Sequence, residues 1–187
     1  CYVFDSLLVG FVAVLLAGVL IAAVPTVLLA EFDIFPKPQS GRPVVGVFLL
    51  DGSTTIDSPA DDRSREIAEY LRDAIRTQTG ISISKNKTGN NRIEIRFDPN
   101  IVGDEAYRLT VGESGVVIEA SDSKGHFWAV QTLRQILPST RGEVVAIPAV
   151  VINDKPEYAY RGHMLDVGRH FFPVEFIKRQ IDLLAYY

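Results

Sequence analysis

Three polar residues near the end of the chain, Asp166, Arg169 and His170, have side chains and a spacing suited to holding a polar ligand. The guanidinium of Arg169 is planar and permanently charged, and its fork of N–H donors fits paired hydroxyl or carboxylate groups. We predict that Asp166 holds this fork in place and that His170 supports it. From spacing alone, a structural Arg–Asp ion pair that fastens a loop is an equally good interpretation.

A strand and a helix flank this polar cluster. The run Arg161–Leu165 predicts a strand, and Pro173 suits the first turn of the helix with a repeating apolar face that follows. In β/α barrels the active-site groups lie past the carboxyl ends of the strands, because the βα loops converge there. Residues 156–187 therefore predict the first strand and helix of a TIM barrel that is truncated after this unit.

Other kinds of site lack their sequence signatures. The three histidines, His126, His163 and His170, show no His-x-x-x-His spacing, and the only cysteine is Cys1, so we predict no metal site. Neither a Gly-x-Ser-x-Gly elbow nor a phosphate-binding Gly-x-x-x-x-Gly-Lys-Ser/Thr loop occurs, and no cofactor is predicted. The net charge of −4 gives no reason to expect nucleic acid as a partner.

Residues 1–31 form a separate apolar segment. No charged residue occurs from Ser6 to Ala30, and a helix of this length, at about 1.5 Å per residue, covers the ~30 Å hydrocarbon core of a bilayer. Pro25 followed by Val27–Ala30 also resembles the end of a cleavable signal. We predict an N-terminal apolar helix that anchors the protein in a membrane, in preference to a cleaved signal.

Residues 32–155 predict a small α+β domain. Helices are expected from Ser58 to Gly80 and from Gly125 to Leu137, because apolar residues recur on one face of each. Short apolar or alternating runs predict strands, and Gly112–Gly115 predicts a hairpin between two of them. The predicted strands are Val44–Leu50, Arg92–Phe97, Tyr107–Val111, Val116–Ala120, Val144–Ile147 and Val150–Ile152. A sheet with one solvated face and two amphipathic helices follows from this pattern.

Four ordered stretches resemble the family-20 β-N-acetylhexosaminidases, which are exo-acting glycoside hydrolases. The first is similar to the short stretch before the family's non-catalytic α+β domain, and the next two are similar to that domain. The last resembles the first strand, loop and helix of the family's catalytic barrel. In chain order the stretches are Phe35–Gln39, Glu105–Val111 with Ile118–Ala120, Gly125–Pro138, and Tyr160–Leu184.

This resemblance implies a role for Arg169. In the family, the arginine of the Asp-x-x-Arg-His loop binds ring hydroxyls of a terminal N-acetylhexosamine, and Arg169 matches that position. The implied mechanism is substrate-assisted and retaining, with the sugar's acetamido oxygen attacking the anomeric carbon. A neighbouring Asp-Glu pair later in the barrel serves as the family's catalytic pair, so we expect it beyond Tyr187. Asp104-Glu105 has the same letters but lies in the small domain, and we do not assign it that role.

The resemblance further implies a zincin-like, that is zinc-protease-like, topology without metal chemistry for the small domain. It also implies an extracytoplasmic location, membrane-anchored or secreted, and glycans ending in N-acetylglucosamine or N-acetylgalactosamine as partners. On this interpretation the chain is an N-terminal fragment that is inactive by itself. Two alternatives remain open: a non-catalytic, membrane-tethered module that binds glycans or proteins, and a catalytically dead homologue that binds glycans.

Overall fold

The computed structural model describes residues 33–83 and 91–187 of the chain. Its elements in chain order are β1 (Ser40–Asp51), β2 (Thr55–Asp57), α1 (Asp62–Thr79), β3 (Arg92–Phe97), β4 (Tyr107–Gly112), β5 (Gly115–Ala120), α2 (Ser123–Ile136), β6 (Val144–Asp154) and α3 (Val174–Tyr186). The apolar segment 1–31, predicted as a membrane anchor or signal, lies outside the described residues. Within the described ranges, no helix has both the length and the apolar character needed to span a bilayer.

The six strands of the described residues form one sheet in the order β1-β6-β4-β5-β3-β2. β4 and β5 form the predicted antiparallel hairpin, and β6 lies antiparallel between β1 and β4. β3 runs parallel to both β2 and β5. Parallel neighbours require a crossover, and α1 supplies it between β2 and β3. The α+β class predicted from the sequence is therefore confirmed, with one sheet and three helices.

The hydrophobic core lies between α1, α2 and the sheet. In β3 and β4 alternate side chains are buried, as the period of a strand requires, and the helices bury residues three or four positions apart. The buried apolar side chains include Ile67, Leu71 and Ile75 of α1, Val130 and Leu133 of α2, and Phe48, Leu50, Ile93, Ile95, Leu109, Ile118, Ile147 and Ile152 of the sheet. Each such side chain contributes about 1.5–3 kcal/mol by leaving water.

The first helix starts later than the sequence predicts. It was expected to begin at Ser58, whereas Asp61 is the N-cap of α1, and its Oδ1 accepts a hydrogen bond from the backbone N–H of Ser64 at 2.9 Å. A carboxylate serves this position well because it also complements the positive end of the helix dipole. Gly80 ends the helix as predicted, with the left-handed φ of 81° that glycine adopts at little cost.

The two short strands predicted on either side of Pro148 are one continuous strand, β6. Proline normally interrupts a strand because it has no N–H to donate. Pro148 pairs with Val47, next to the place where the β1–β6 register shifts between Pro43 and Val47. The ladder is already irregular there, so the missing donor does not end the strand.

The strand predicted at Arg161–Leu165 is wrong for the structure described here. Residues 155–173 contain no helix or strand. A strand needs hydrogen-bonded neighbours, and the six-stranded sheet offers none at this place, so Met164 is 90% exposed. The helix predicted after Pro173 is confirmed as α3, although none of its residues is buried.

Candidate functional site

The predicted ligand-binding residues lie in the irregular segment between β6 and α3. Asp166 Oδ1 accepts hydrogen bonds from the backbone N–H of Gly168 at 2.9 Å and from that of Arg169 at 3.0 Å. This is an aspartate turn, in which the side chain takes the place of a backbone acceptor. Asp166 Oδ2 lies 3.0 Å from Nε of Arg169. One carboxylate therefore orients both the backbone and the side chain of Arg169.

The terminal nitrogens of Arg169 carry N–H groups that are available to bind a ligand. The ion pair with Asp166 uses Nε, and the Arg169 side chain is 93% exposed. An ion pair this exposed contributes only about 0–1 kcal/mol to stability. Fastening the loop by this pair therefore stabilises the fold only slightly. The same geometry leaves the paired fork facing solvent, where it can meet two adjacent hydroxyl groups. Sugar binding by Arg169 stays a prediction.

His170 does not support Arg169 in the way the spacing suggested. Its ring packs against Phe172, with centroids 4.8 Å apart, and Phe172 in turn stacks on Phe176 of α3 at 4.6 Å. In this described segment, His170 forms no hydrogen bond or ion pair with Asp166 or Arg169. His170 therefore helps to join the loop to the start of α3.

The buried histidine has a structural role. His126, on α2, is fully buried, and its Nε2 lies 2.9 Å from the backbone oxygen of Arg96, to which it donates when that nitrogen is protonated. Nδ1 is buried without a hydrogen-bond partner among the described residues. Burial lowers the pKa of His126, and the Arg96 carbonyl and the nearby carboxylates of Asp122 and Asp61 oppose this only in part. The ring is therefore neutral in the folded protein at neutral pH.

This neutral ring makes folding stability depend on pH. The folded pKa lies below the ordinary value of about 6.5, so below that pH the unfolded chain binds more protons than the folded chain. In a polypeptide of residues 33–187, the contribution of the neutral His126 ring to the free energy of unfolding is expected to be fully present above pH ~6.5. This contribution is lost as the pH falls through the folded pKa, and the free energy of unfolding decreases by at most about 1.4 kcal/mol per pH unit.

Urea unfolding at pH 7.5 and pH 5.5 measures this loss. His126→Gln removes the titrating group and is expected to flatten the dependence, whereas His163→Gln, at an exposed position, should leave it unchanged. Equal pH dependence in the wild-type chain and His126→Gln would show that another group is responsible.

A second cluster of polar groups was missed by the sequence prediction. Glu105 Oε2 accepts a hydrogen bond from Trp128 Nε1 at 3.0 Å and forms an ion pair with Arg161. The Arg161 guanidinium also lies over the Trp128 ring, 5.3 Å from its centroid, and donates to the backbone oxygen of Tyr158. Glu105, Trp128 and Arg161 are far apart in sequence, and no spacing signal connects them. The only hint in the sequence is that each of these three residues falls within a stretch that carries the family resemblance.

Two open clefts adjoin Glu105. One, of about 260 Å³, is lined in part by Tyr70, Phe127 and Trp128, and the other, of about 380 Å³, by residues that include Tyr158 and Arg161. Arg169 lines neither of them. Across residues 33–83 and 91–187, no group of three or more His, Cys, Asp or Glu side chains is placed to hold a metal ion.

Two family models match consecutive parts of the chain. Domain 2 of glycosyl hydrolase family 20 matches residues 31–155, and the catalytic domain of the same family matches residues 158–187. The chain belongs to glycoside hydrolase family 20. The boundary between the two family-20 matches falls at Pro156 and Glu157, directly after β6. Asp166 and Arg169 therefore lie in the part that matches the family-20 catalytic domain.

Curated relatives in family 20 carry hexosaminidase names. The beta-hexosaminidase of Porphyromonas gingivalis is 35% identical over 163 residues, which are 82% of this chain and 21% of that protein. The beta-N-acetylhexosaminidase of Cellulomonas fimi is 48% identical over 96 residues, covering 51% of this chain and 19% of the relative. The chain thus spans about a fifth of the length of these family-20 relatives.

Solved structures show the same likeness. The Streptomyces plicatus N-acetyl-beta-hexosaminidase, in complex with Thio-NAglucal, matches with a TM-score of 0.72 and 35% identity over 84% of this chain and 33% of that one. The family-20 exo beta-N-acetylglucosaminidase of Vibrio harveyi, in complex with N-acetylglucosamine, matches with a TM-score of 0.72 and 30% identity over 88% of this chain and 25% of that one.

Proposed function

We propose that these residues are part of a β-N-acetylhexosaminidase that removes terminal, non-reducing N-acetylhexosamine residues from glycans. The observation that carries this proposal is the match of residues 158–187 to the family-20 catalytic domain, which includes the loop with Asp166 and Arg169. Hexosaminidase names among the relatives support it. Two similar Streptomyces plicatus structures are described as complexes with the product GlcNAc, which supports an N-acetylhexosamine as the bound sugar.

Within this proposal, Arg169 binds the ring hydroxyls of the terminal sugar. Its terminal N–H groups donate to two adjacent hydroxyl oxygens, while Asp166 keeps the guanidinium plane oriented through Nε. Two hydroxyl oxygens on neighbouring ring carbons have a separation that a planar fork matches better than a single ammonium would. Arg169 thus selects a pyranose with free hydroxyls, which is what an exo-acting enzyme requires.

The proposed bond cleavage uses the substrate's own acetamido group. Its carbonyl oxygen forms a bond to the anomeric carbon as the glycosidic bond breaks, and a carboxylic acid gives its proton to the leaving oxygen. Water then attacks the anomeric carbon of the cyclic intermediate, so that the configuration is retained. We assign the acid and the carboxylate that orients the acetamido group to an Asp-Glu pair outside these residues.

Glu105 is a poor candidate for that acid. Its carboxylate already accepts a hydrogen bond from Trp128 and is paired with Arg161. A general acid must reach the leaving oxygen of the substrate, and the Glu105 carboxylate is instead engaged by these two residues of its own chain. The small domain is therefore proposed to act without a catalytic residue of its own.

The location of the protein and the finer description of its small domain also belong to this proposal. We propose that the protein works outside the cytoplasm, membrane-anchored or secreted, because Ser6–Ala30 has no charged residue and is long enough to enter a bilayer. The zincin-like topology implied by the resemblance is part of the same proposal.

An assay of the full-length protein on 4-nitrophenyl N-acetyl-β-D-glucosaminide and on the galactosaminide tests the proposed function. We expect release of nitrophenol from at least one substrate, with the β-anomer as the first product seen by proton NMR. A polypeptide of residues 33–187 is expected to release none. Binding of N-acetylglucosamine by the full-length protein without turnover of either substrate would instead indicate a glycan-binding homologue, and an α-anomer as first product would exclude the retaining mechanism.

A further inference from the structure

The guanidinium of Arg161 is held from three directions. One terminal nitrogen donates to the backbone oxygen of Tyr158, the other pairs with Glu105, and the plane lies over the indole of Trp128 at 5.3 Å. The Glu105 side chain is only 18% exposed and that of Arg161 is 40% exposed, so water screens this pair less than it screens an exposed pair such as Lys124 and Asp104. A planar cation with three such contacts keeps one position and orientation.

The backbone at Glu105 is shaped for this contact. Its φ of 61° lies in the left-handed region, which a residue with a Cβ adopts only at a cost in free energy. Such a conformation persists where the surrounding contacts hold it, and it often marks a functional position. The two hydrogen-bonding partners of Glu105, Trp128 and Arg161, supply those contacts.

Arg161 lies before Arg169 in the chain, and α3, which follows Arg169, is fastened to α2 at its C-terminal end. On α2, Gln135 Nε2 donates to the backbone oxygen of Tyr186 at 2.9 Å, and the Arg134 guanidinium lies 4.9 Å from the Tyr186 ring centroid. Trp128, which holds Arg161, is also on α2. The loop with Arg169 is therefore suspended between two attachments to one rigid helix of the small domain.

We propose that Glu105 and Arg161 are positioning residues, through which the small domain fixes where Arg169 presents its donors to the sugar. This inference rests on the proposed function. No hydrogen-bonded strand fixes the position of residues 155–173 in the described structure, so side-chain contacts set it. Arg161 lies only eight residues before Arg169, and a displacement of about 1 Å at a binding group is enough to weaken its interactions substantially.

Steady-state kinetics of the full-length protein, assayed well below its unfolding temperature, test this role. Glu105→Gln keeps the shape and the acceptor for Trp128 but removes the charge that holds Arg161, and Arg161→Lys keeps the charge but loses the fork. Each substitution is expected to raise KM for the aryl N-acetylhexosaminide about fivefold to tenfold while kcat stays within about twofold. The reason is that the contacts between Arg169 and the sugar are made equally in the ground state and in the transition state. The double variant is expected to match the worse single variant, because the pair acts as a unit.

Asp104→Asn is the matched control. Asp104 precedes Glu105 and forms an ion pair with Lys124 in which both side chains are largely exposed, so its loss should leave KM unchanged. If Glu105→Gln and Arg161→Lys lower the unfolding temperature but have the same KM as the control variant Asp104→Asn, the ion pair only stabilises the fold and the inference is wrong. If one of the two variants fails to fold, the KM of the other decides in the same way. Absence of turnover in the wild-type full-length protein would instead contradict the proposed function itself.

Discussion

Replacing Arg169 with alanine in the full-length protein is expected to lower kcat/KM for an aryl N-acetylhexosaminide by about 10²- to 10⁴-fold. A hydrogen bond from a charged donor contributes about 1.5–3 kcal/mol, and the variant loses two such donors to the sugar. The loss should be seen chiefly as a higher KM, because these contacts exist before and during bond cleavage. Initial rates over a wide range of substrate concentrations measure both constants.

Stability separates this effect from misfolding. The Arg169 side chain is 93% exposed, so its removal is expected to change the free energy of unfolding by no more than about 0.5 kcal/mol. Arg169→Lys should recover only part of the affinity, since an ammonium cannot donate in parallel to two hydroxyls. Arg179→Ala, at an exposed position of α3, is the control. A KM for Arg169→Ala equal to that of the control would exclude sugar binding by Arg169.

Substituting Gly125 with alanine is expected to destabilise the small domain by about 3 kcal/mol, at the upper end of the usual cost of overpacking. Gly125 lies in the first turn of α2, where the helix meets the ends of β4 and β5. A Cβ there would lie 2.4 Å from the backbone oxygen of Ala106 and 2.7 Å from the Cβ of Ala120. Neither atom belongs to a flexible side chain, so the whole helix would have to move.

Thermal or urea unfolding of residues 33–187 measures this effect. For a chain of this size, about 3 kcal/mol corresponds to a decrease in Tm of roughly 6–12 °C. Gly112→Ala is a matched control in the β4–β5 hairpin, because a Cβ there would meet nothing within 4 Å. It should leave Tm unchanged or slightly raised, by restricting the unfolded chain. A Tm for Gly125→Ala within about 2 °C of this control would show that α2 can shift without cost.

Local sequence signals predicted most elements of the small domain. Arg92–Phe97 alternates polar and apolar residues, and β3 has these bounds. The hairpin around Gly112–Gly115 and the end of α1 at Gly80 were predicted because glycine marks turns and helix ends for conformational reasons. These features depend on residues within one turn or one strand, so the sequence carries them directly.

Features that depend on distant residues could not be predicted. β3 pairs in parallel with β5 although β4 lies between them in the sequence. This pairing is set by the packing of the whole sheet. The strand expected at Arg161–Leu165 has the right residues but no partner strand in the described structure. Asp166 and Arg169 were predicted to interact because they are three residues apart, whereas the contact between Glu105 and Arg161 spans 56 residues and has no local signature.

The irregular part of β1 has a consequence for aggregation. β1 is an edge strand of 12 residues, and Val45, Val47 and Leu49 on it are exposed. A flat apolar edge of this length would invite intermolecular β-pairing and fibril growth. Pro43 has no N–H to donate, and Gly46, with φ of 120°, lies within the register shift. These two residues interrupt the free edge midway, so that a second molecule cannot extend the sheet along its whole length.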